Sequence, residues 1–188
     1  MSRKALVPIA NGSEEIEAVC IIDTLRRAEV EVTVASISGE LLITASRRTK
    51  IQADAQIVDC VGEEYDLIVL PGGMPGAEHL RDCAIVIDML KMQRNAGKLY
   101  GAICASPAVA LLPHGLLEGR RATCFPSFRD RLEEAETVTA SEERVVVDGN
   151  LVTSQGPGTA IEFALKLVEL LYDDAEKARA IGQQMLIK

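Results

Sequence analysis

Three short apolar runs in this chain end in the same way. Ala5–Ala10 (ALVPIA) stops at Asn11-Gly12-Ser13, and Asp66–Leu70 (DLIVL) stops at Pro71-Gly72-Gly73. Lys98–Ile103 (KLYGAI) runs into Cys104-Ala105-Ser106-Pro107. Apolar runs this short, bounded by such breakers, suit strands buried on both faces. Helical spacing follows them. Glu14-Glu15 open a helix that continues through Ile16, Val19, Cys20, Asp23, Leu25 and Arg26, with acids at the positive end of its dipole. Further helices are expected over Cys83–Asn95, from Pro107 through Leu112, over the strongly amphipathic Ala160–Leu171, and over Asp174–Met185. Buried strands alternating with helices define an α/β fold: an open, mostly parallel sheet with helices on both faces.

The remaining strands read less sharply. Val30–Ala35 alternates apolar and polar residues. Leu41–Ala45 and Ile51–Val58 are short extended pieces, and Arg121–Phe125 is a candidate strand. Glu143–Asp148 and Leu151–Ser154 form a hairpin around Asp148-Gly149-Asn150. No repeat or linker interrupts the 188 residues, which are read as a single domain.

Composition removes several classes of function. With 20 Lys plus Arg against 28 Asp plus Glu, the net charge of −8 opposes nucleic acid as a specific partner. The absence of Trp, with only three Phe and three Tyr, leaves no stacking platform. The first residues lack the apolar region of a secretory signal. Leu99–Leu117 is uncharged, but Gly101, Pro107, Pro113 and Gly115 break it, so no membrane association is expected. Five scattered cysteines without a C-x-x-C pair, and two histidines, suggest a reduced, cytoplasmic protein with no metal. No phosphate loop is present, and no organic cofactor is expected.

In parallel α/β sheets ligands bind at the carboxyl ends of strands. Cys104 sits there, at a strand–turn–helix junction of the nucleophile-elbow kind, among small neighbours. The following helix start should favour the thiolate and lower the Cys104 pKa. A packing cysteine in an apolar strand fits the spacing equally well. Gly72 and Gly73, with the Ala105 N–H, are candidate donors for an oxyanion hole. An ordinary strand-exit turn is the alternative for the glycines.

LVPIANGSEEIEAV, YDLIVLPGGMPGAEHL, GAICASPAVAL and TSQGPGTAIEFAL, in this order and spacing, resemble the ThiJ/PfpI superfamily. The branch is that of the Parkinsonism-associated deglycase (DJ-one). The 154–159 segment and Phe125-Pro126 are most similar to bacterial members of the YajL type. This resemblance covers nearly the whole chain. It implies a flavodoxin-like, class I glutamine amidotransferase-like sandwich and a homodimer. By motif, Cys104 corresponds to the reactive cysteine and Glu17 to the carboxyl contacting its sulfur. Gly72, Gly73 and Ala105 correspond to the backbone donors around it.

A carboxyl confined beside a thiolate should hold its proton and be able to shuttle it. On this reading Glu17 faces the pocket, whereas Glu14 and Glu15 face solvent. Phe125, Pro126 and Ser106 are expected at the pocket. By the resemblance, Phe125 stands where the deglycase branch has a histidine before a proline; this makes the pocket more apolar and, if that histidine serves proton transfer, the turnover weaker. Ala105 replaces the histidine of protease relatives, so a protease is not expected. His79 and His114 are read as surface and helix-end residues. Cys124 should point away from Cys104. Arg27 and Arg47 match family arginines near the dimer contact and site rim.

The resemblance therefore implies a cysteine-dependent glyoxalase or deglycase. Its substrates would be methylglyoxal, glyoxal or their protein and nucleotide adducts, and it would protect against carbonyl and oxidative stress. The alternative is a redox sensor or oxidative-stress chaperone acting through oxidation of Cys104.

Overall fold

The computed structural model describes residues 2–187. Its elements are, in chain order, β1 (Lys4–Ile9), α1 (Glu15–Arg27), β2 (Glu31–Ser36), β3 (Leu42–Thr44), β4 (Lys50–Gln52) and β5 (Ala55–Gln56). There follow β6 (Leu67–Leu70), α2 (Gly76–Asp82), α3 (Ala84–Asn95), β7 (Leu99–Ile103), β8 (Arg120–Ala122) and α4 (Arg129–Glu133). The chain closes with β9 (Val138–Ala140), β10 (Val145–Asp148), β11 (Leu151–Ser154), α5 (Ala160–Tyr172) and α6 (Ala175–Gln184).

Seven strands form the central sheet in the order β10-β11-β7-β6-β1-β2-β5. All neighbours pair in parallel except β10 with β11, the predicted hairpin. Leaving out the two edge strands, the order is that of the flavodoxin-like sheets, and the direction of winding reverses between β1 and β6. The fold is thus the expected flavodoxin-like α/β sandwich. Two small sheets, β3–β4 and β8–β9, lie outside it.

Strand residues alternate between two cores. Val7, Ile9, Leu67, Val69 and Ile103 face one side, beneath Ile21 and Leu25 of α1 and Phe163, Leu167 and Val168 of α5. Leu6, Ile68, Leu70, Tyr100 and Ala102 face the other, beneath Leu80 of α2 and Val86, Ile87 and Leu90 of α3. The buried residues of α5 recur at 160, 163, 164, 167, 168 and 171, the helical spacing that made this element legible.

Some readings need correction. Ile57–Cys60 is a short 3-10 turn rather than strand. The strand expected over Arg121–Phe125 ends at Ala122, and the Phe125 N–H is donated at 2.7 Å to the Cys104 carbonyl. The turn after Cys104 is not an ordinary α-helix: Pro107–Leu111 forms a wide π-helical turn. Among the described residues, no helix is long and apolar enough to cross a membrane.

Candidate active site

The loops after β1, β6 and β7 meet at the reversal point of the sheet. The first two pack backbone against backbone. A Cβ on Gly12 would lie 2.6 Å from Pro75 Cδ, and a Cβ on Gly73 would lie 2.5 Å from Glu14 N and from Gly12 O. Gly73 also has φ +88°, a conformation that favours glycine. Gly73 is therefore required by contact as well as by turn geometry.

Cys104 occupies the apex of the β7 turn with φ +65°, in the left-handed region. A non-glycine residue there costs on the order of 1–3 kcal/mol. Hydrogen bonds on both sides hold it. Cys104 N donates to Ser154 O at 3.0 Å, and its carbonyl accepts from Phe125 N. Ser106 Oγ donates to Pro71 O at 2.6 Å. Ser106 is accordingly a buried brace between the β6 and β7 loops, not the pocket residue expected.

Glu17 lies in the first turn of α1 and is 0% exposed. Its Oε2 accepts the Gly72 N–H at 2.8 Å. Oε1 is buried with no N–H or O–H partner, while the Cys104 thiol interacts with the same carboxyl. A Cβ on Gly72 would lie 2.5 Å from Cys104 Cβ and 2.9 Å from Glu17 Oε2, so the two side chains converge over this glycine. Oε2 is engaged by Gly72, so Oε1 is the oxygen left free to carry the proton of this carboxyl.

Burial pushes the Glu17 pKa up to about 7. This agrees with a protonated carboxyl. The expected lowering of the Cys104 pKa does not occur: burial and the Glu17 charge push the thiol up to about 12. The Gly73 and Ala105 N–H groups favour the thiolate but are outweighed. Two acids in one dry site cannot both ionise easily, so ionisation of one keeps the proton on the other. Its nucleophilic form has the proton on Glu17 Oε1 and the charge on sulfur.

The donor set also differs from expectation. Gly72 gives its N–H to Glu17, leaving Gly73 and Ala105 as the amides directed at sulfur. Phe125 is 39% exposed and its ring packs over Gly156, with Pro126 exposed beside it. Cys124 is buried in the core opposite to that of Cys104, and all five cysteines are free thiols. His79, at the surface of α2, has Nδ1 2.9 Å from Asn11 O, and His114, at the end of a 3-10 turn, has Nε2 2.9 Å from Arg81 O. Arg27 pairs with Asp23 at 2.6 Å, about 15 Å along α1 from Glu17, and is not brought to the thiol. The Arg47 side chain is exposed.

Glu15 is not a solvent-facing residue. Its carboxylate accepts from Ser46 Oγ at 2.9 Å and from Arg47 N at 2.9 and 3.0 Å, clamping the β3–β4 hairpin onto α1. Burial opposes its charge, but these donors prevail and lower its pKa to about 2. Its stabilisation is therefore present above pH 4.5 and lost as pH falls through 2. We expect Glu15→Ala to lose about 2 kcal/mol near neutral pH, as for hydrogen bonds to charged groups. In urea unfolding the deficit should shrink as the pH approaches 2.

A buried thiol–carboxyl pair at the reversal point of a flavodoxin-like sheet defines a cysteine-centred α/β site. The profile of the DJ-1/PfpI family matches residues 3–170, and the chain belongs to this family. It is 49% identical to protein DJ-1 homolog B of Arabidopsis thaliana over 97% of its length. The chain spans only 41% of that plant protein and 45% of the plant DJ-1 homolog A, less than half of each. A Caenorhabditis elegans relative named glutathione-independent glyoxalase DJR-1.2 is 37% identical, over 90% of this chain and 88% of its own. The solved structure of oxidized Toxoplasma gondii DJ-1 superposes with a TM-score of 0.94 at 51% identity, covering 98% of both chains.

Proposed function

We propose that this protein is a cysteine-dependent glyoxalase-type enzyme that converts α-oxoaldehydes such as methylglyoxal to hydroxy acids. The observation that carries this reading is the Glu17 carboxyl held beside Cys104, one oxygen fixed by Gly72 and the other free. An enzyme that does without glutathione needs its own thiol, and Cys104 supplies one.

Sulfur attacks the aldehyde carbon. The carbonyl π pair moves to oxygen, which takes the proton from Glu17 and gives a hemithioacetal. The Glu17 carboxylate then removes the C1 proton, the electron pair moves through C2 to its oxygen to give an enediolate, and the C1 hydroxyl proton passes to the C2 oxygen. Glu17 returns its proton to C2 as the charge on the C1 oxygen reforms the carbonyl, which leaves the thioester of lactate and the Glu17 carboxylate. Water hydrolyses it, so that methylglyoxal plus water becomes lactate and the thiol is restored. The Gly73 and Ala105 amides stabilise the negative charge on sulfur or oxygen. The same attack on early adducts of proteins or nucleotides would be a deglycase reaction.

A homodimer belongs to this reading. Ile16 and Val19 of α1 are 53% and 49% exposed, and Ile16 borders a groove of about 730 Å³ with Ile161, Leu165 and Ile187. A second copy on this face would double the mass in sedimentation equilibrium. Arg27 and Arg47 would serve its rim.

The test is lactate formation from methylglyoxal in amine-free buffer. Wild type should produce lactate, and Cys104→Ser should fall to background because a serine hydroxyl is a far weaker nucleophile at neutral pH. Lactate from folded Cys104→Ser would remove the mechanism. No lactate from folded wild type would move the assignment to a redox sensor. The backbone amides at the Cys104 sulfur also suit oxidised sulfur, and a solved relative is an oxidized DJ-1.

A further inference from the structure

Three hydrogen bonds close a ring between the α1 start and the β6 turn. Glu17 N donates to Glu14 Oε2 at 2.8 Å, Glu14 N donates to Gly72 O at 2.9 Å, and Gly72 N donates to Glu17 Oε2 at 2.8 Å. Glu14 thus grips the backbone of Glu17 and, through Gly72, the carboxyl of the same residue. Its own N–H is the atom that a Cβ on Gly73 would strike. One residue therefore touches the holder of the carboxyl and the donor to the sulfur.

Capping alone does not explain a glutamate here. Asn, Asp, Ser and Thr are the residues preferred at a helix N-cap, and Glu is not among them. Glu14 is half-buried and, among the described residues, forms no salt bridge. An uncompensated carboxylate beside the buried end of Glu17 opposes a second negative charge there.

We propose that Glu14 is a positioning residue for the Glu17–Cys104 pair: it locks the Glu17 carboxyl in place through Gly72 with Oε1 left free, and its charge keeps that carboxyl protonated. The proposal rests on the pair invoked above and not on its substrate. The Coulombic effect of Glu14 raises the Glu17 pKa, in line with this role. The other ionisable groups around Glu17 are Cys104 from the β7 turn and Cys20 on α1, the latter next to Asp23. None of these supplies a permanent positive charge that would cancel Glu14.

The test reads Glu17 directly, by the pH titration of its ¹³Cδ resonance in the full chain. Glu17→Gln assigns the signal by removing it. Wild type should titrate near pH 7. Glu14→Gln keeps an oxygen that caps the helix but loses the charge, and should titrate about 0.5–1 pH unit lower. Glu14→Asp keeps both a cap and a charge and should stay near wild type. A Glu14→Gln midpoint at or above the wild-type value would overturn the proposal and leave Glu14 a helix cap. So would a Glu14→Asp midpoint that falls with that of Glu14→Gln. Lactate formation by wild type is measured in parallel. Its absence would remove the glyoxalase reading, while the titration still decides the role of Glu14.

Discussion

Glu17→Gln is expected to lower kcat/KM for methylglyoxal by a factor of about 10²–10⁴, the range for loss of a general acid–base, while making Cys104 easier to ionise. The glutamine amide keeps the shape of the carboxyl, and its oxygen can still accept the Gly72 N–H. Its NH₂ then faces sulfur as a donor. The charge that helps to raise the thiol pKa to about 12 is gone, whereas the Gly73 and Ala105 amides remain. Alkylation of Cys104 by iodoacetamide in mildly alkaline buffer should therefore be faster than in wild type. Turnover fails because nothing carries the proton between C1 and C2. Faster alkylation with lost turnover separates nucleophilicity from proton transfer, and retained turnover would take Glu17 out of the mechanism. Stability provides a second readout. The folded-state pKa of Glu17 is raised from 4.5 to about 7, so the stabilisation its neutral form provides is full below pH 4.5 and lost as pH rises through 7. At 1.36 kcal/mol per unit, up to about 3 kcal/mol is involved. Glu17→Gln cannot ionise, and its unfolding free energy should lack this decline.

The parts of this site that were legible in sequence are those set by local pattern. Strand, glycine turn and cysteine turn follow from apolar runs stopped by breakers, and α5 from its spacing. What escaped depends on which backbone atom meets which. Glu15 looks like a surface acid until the distant β3–β4 hairpin folds over it. Gly72 and Gly73 are adjacent, yet one N–H turns to Glu17 and the other to sulfur. Helix α2 was missed because Pro75-Gly76 at its start reads as a turn, and its seven residues are too few to establish a period. The sign of the Cys104 shift escapes the sequence for a different reason. A like charge raises the pKa of the thiol just as it raises that of Glu17, and a five-residue π turn offers a weak dipole in return. The resemblance carried the identity of the pair, while burial decided its ionisation.

Gly72→Ala should damage the thiol–carboxyl pair directly with a single methyl group. The added Cβ would fall 2.5 Å from Cys104 Cβ, 2.8 Å from Ile103 O and 2.9 Å from Glu17 Oε2, so three parts of the site must move to admit it. None of the three is the free end of a flexible surface chain. Cys104 is pinned through both its N–H and its carbonyl, Ile103 belongs to β7, and Glu17 is held in the ring with Glu14. Relaxation must then lengthen the Gly72 N–H to Glu17 bond or turn the thiol away from the Glu17 carboxyl. A displacement near 1 Å at reacting groups lowers rates by about 10²-fold, and that is the minimum loss expected in kcat/KM. Overpacking of this kind costs about 1–3 kcal/mol, so the melting temperature should fall by roughly 2–4 °C per kcal/mol for a chain of this size. Gly158→Ala is the matched control, since a Cβ there meets nothing within 4 Å. If Gly72→Ala melts like wild type and retains its rate, the thiol and the carboxyl are not held together over this glycine, and proton transfer between them loses its geometric basis.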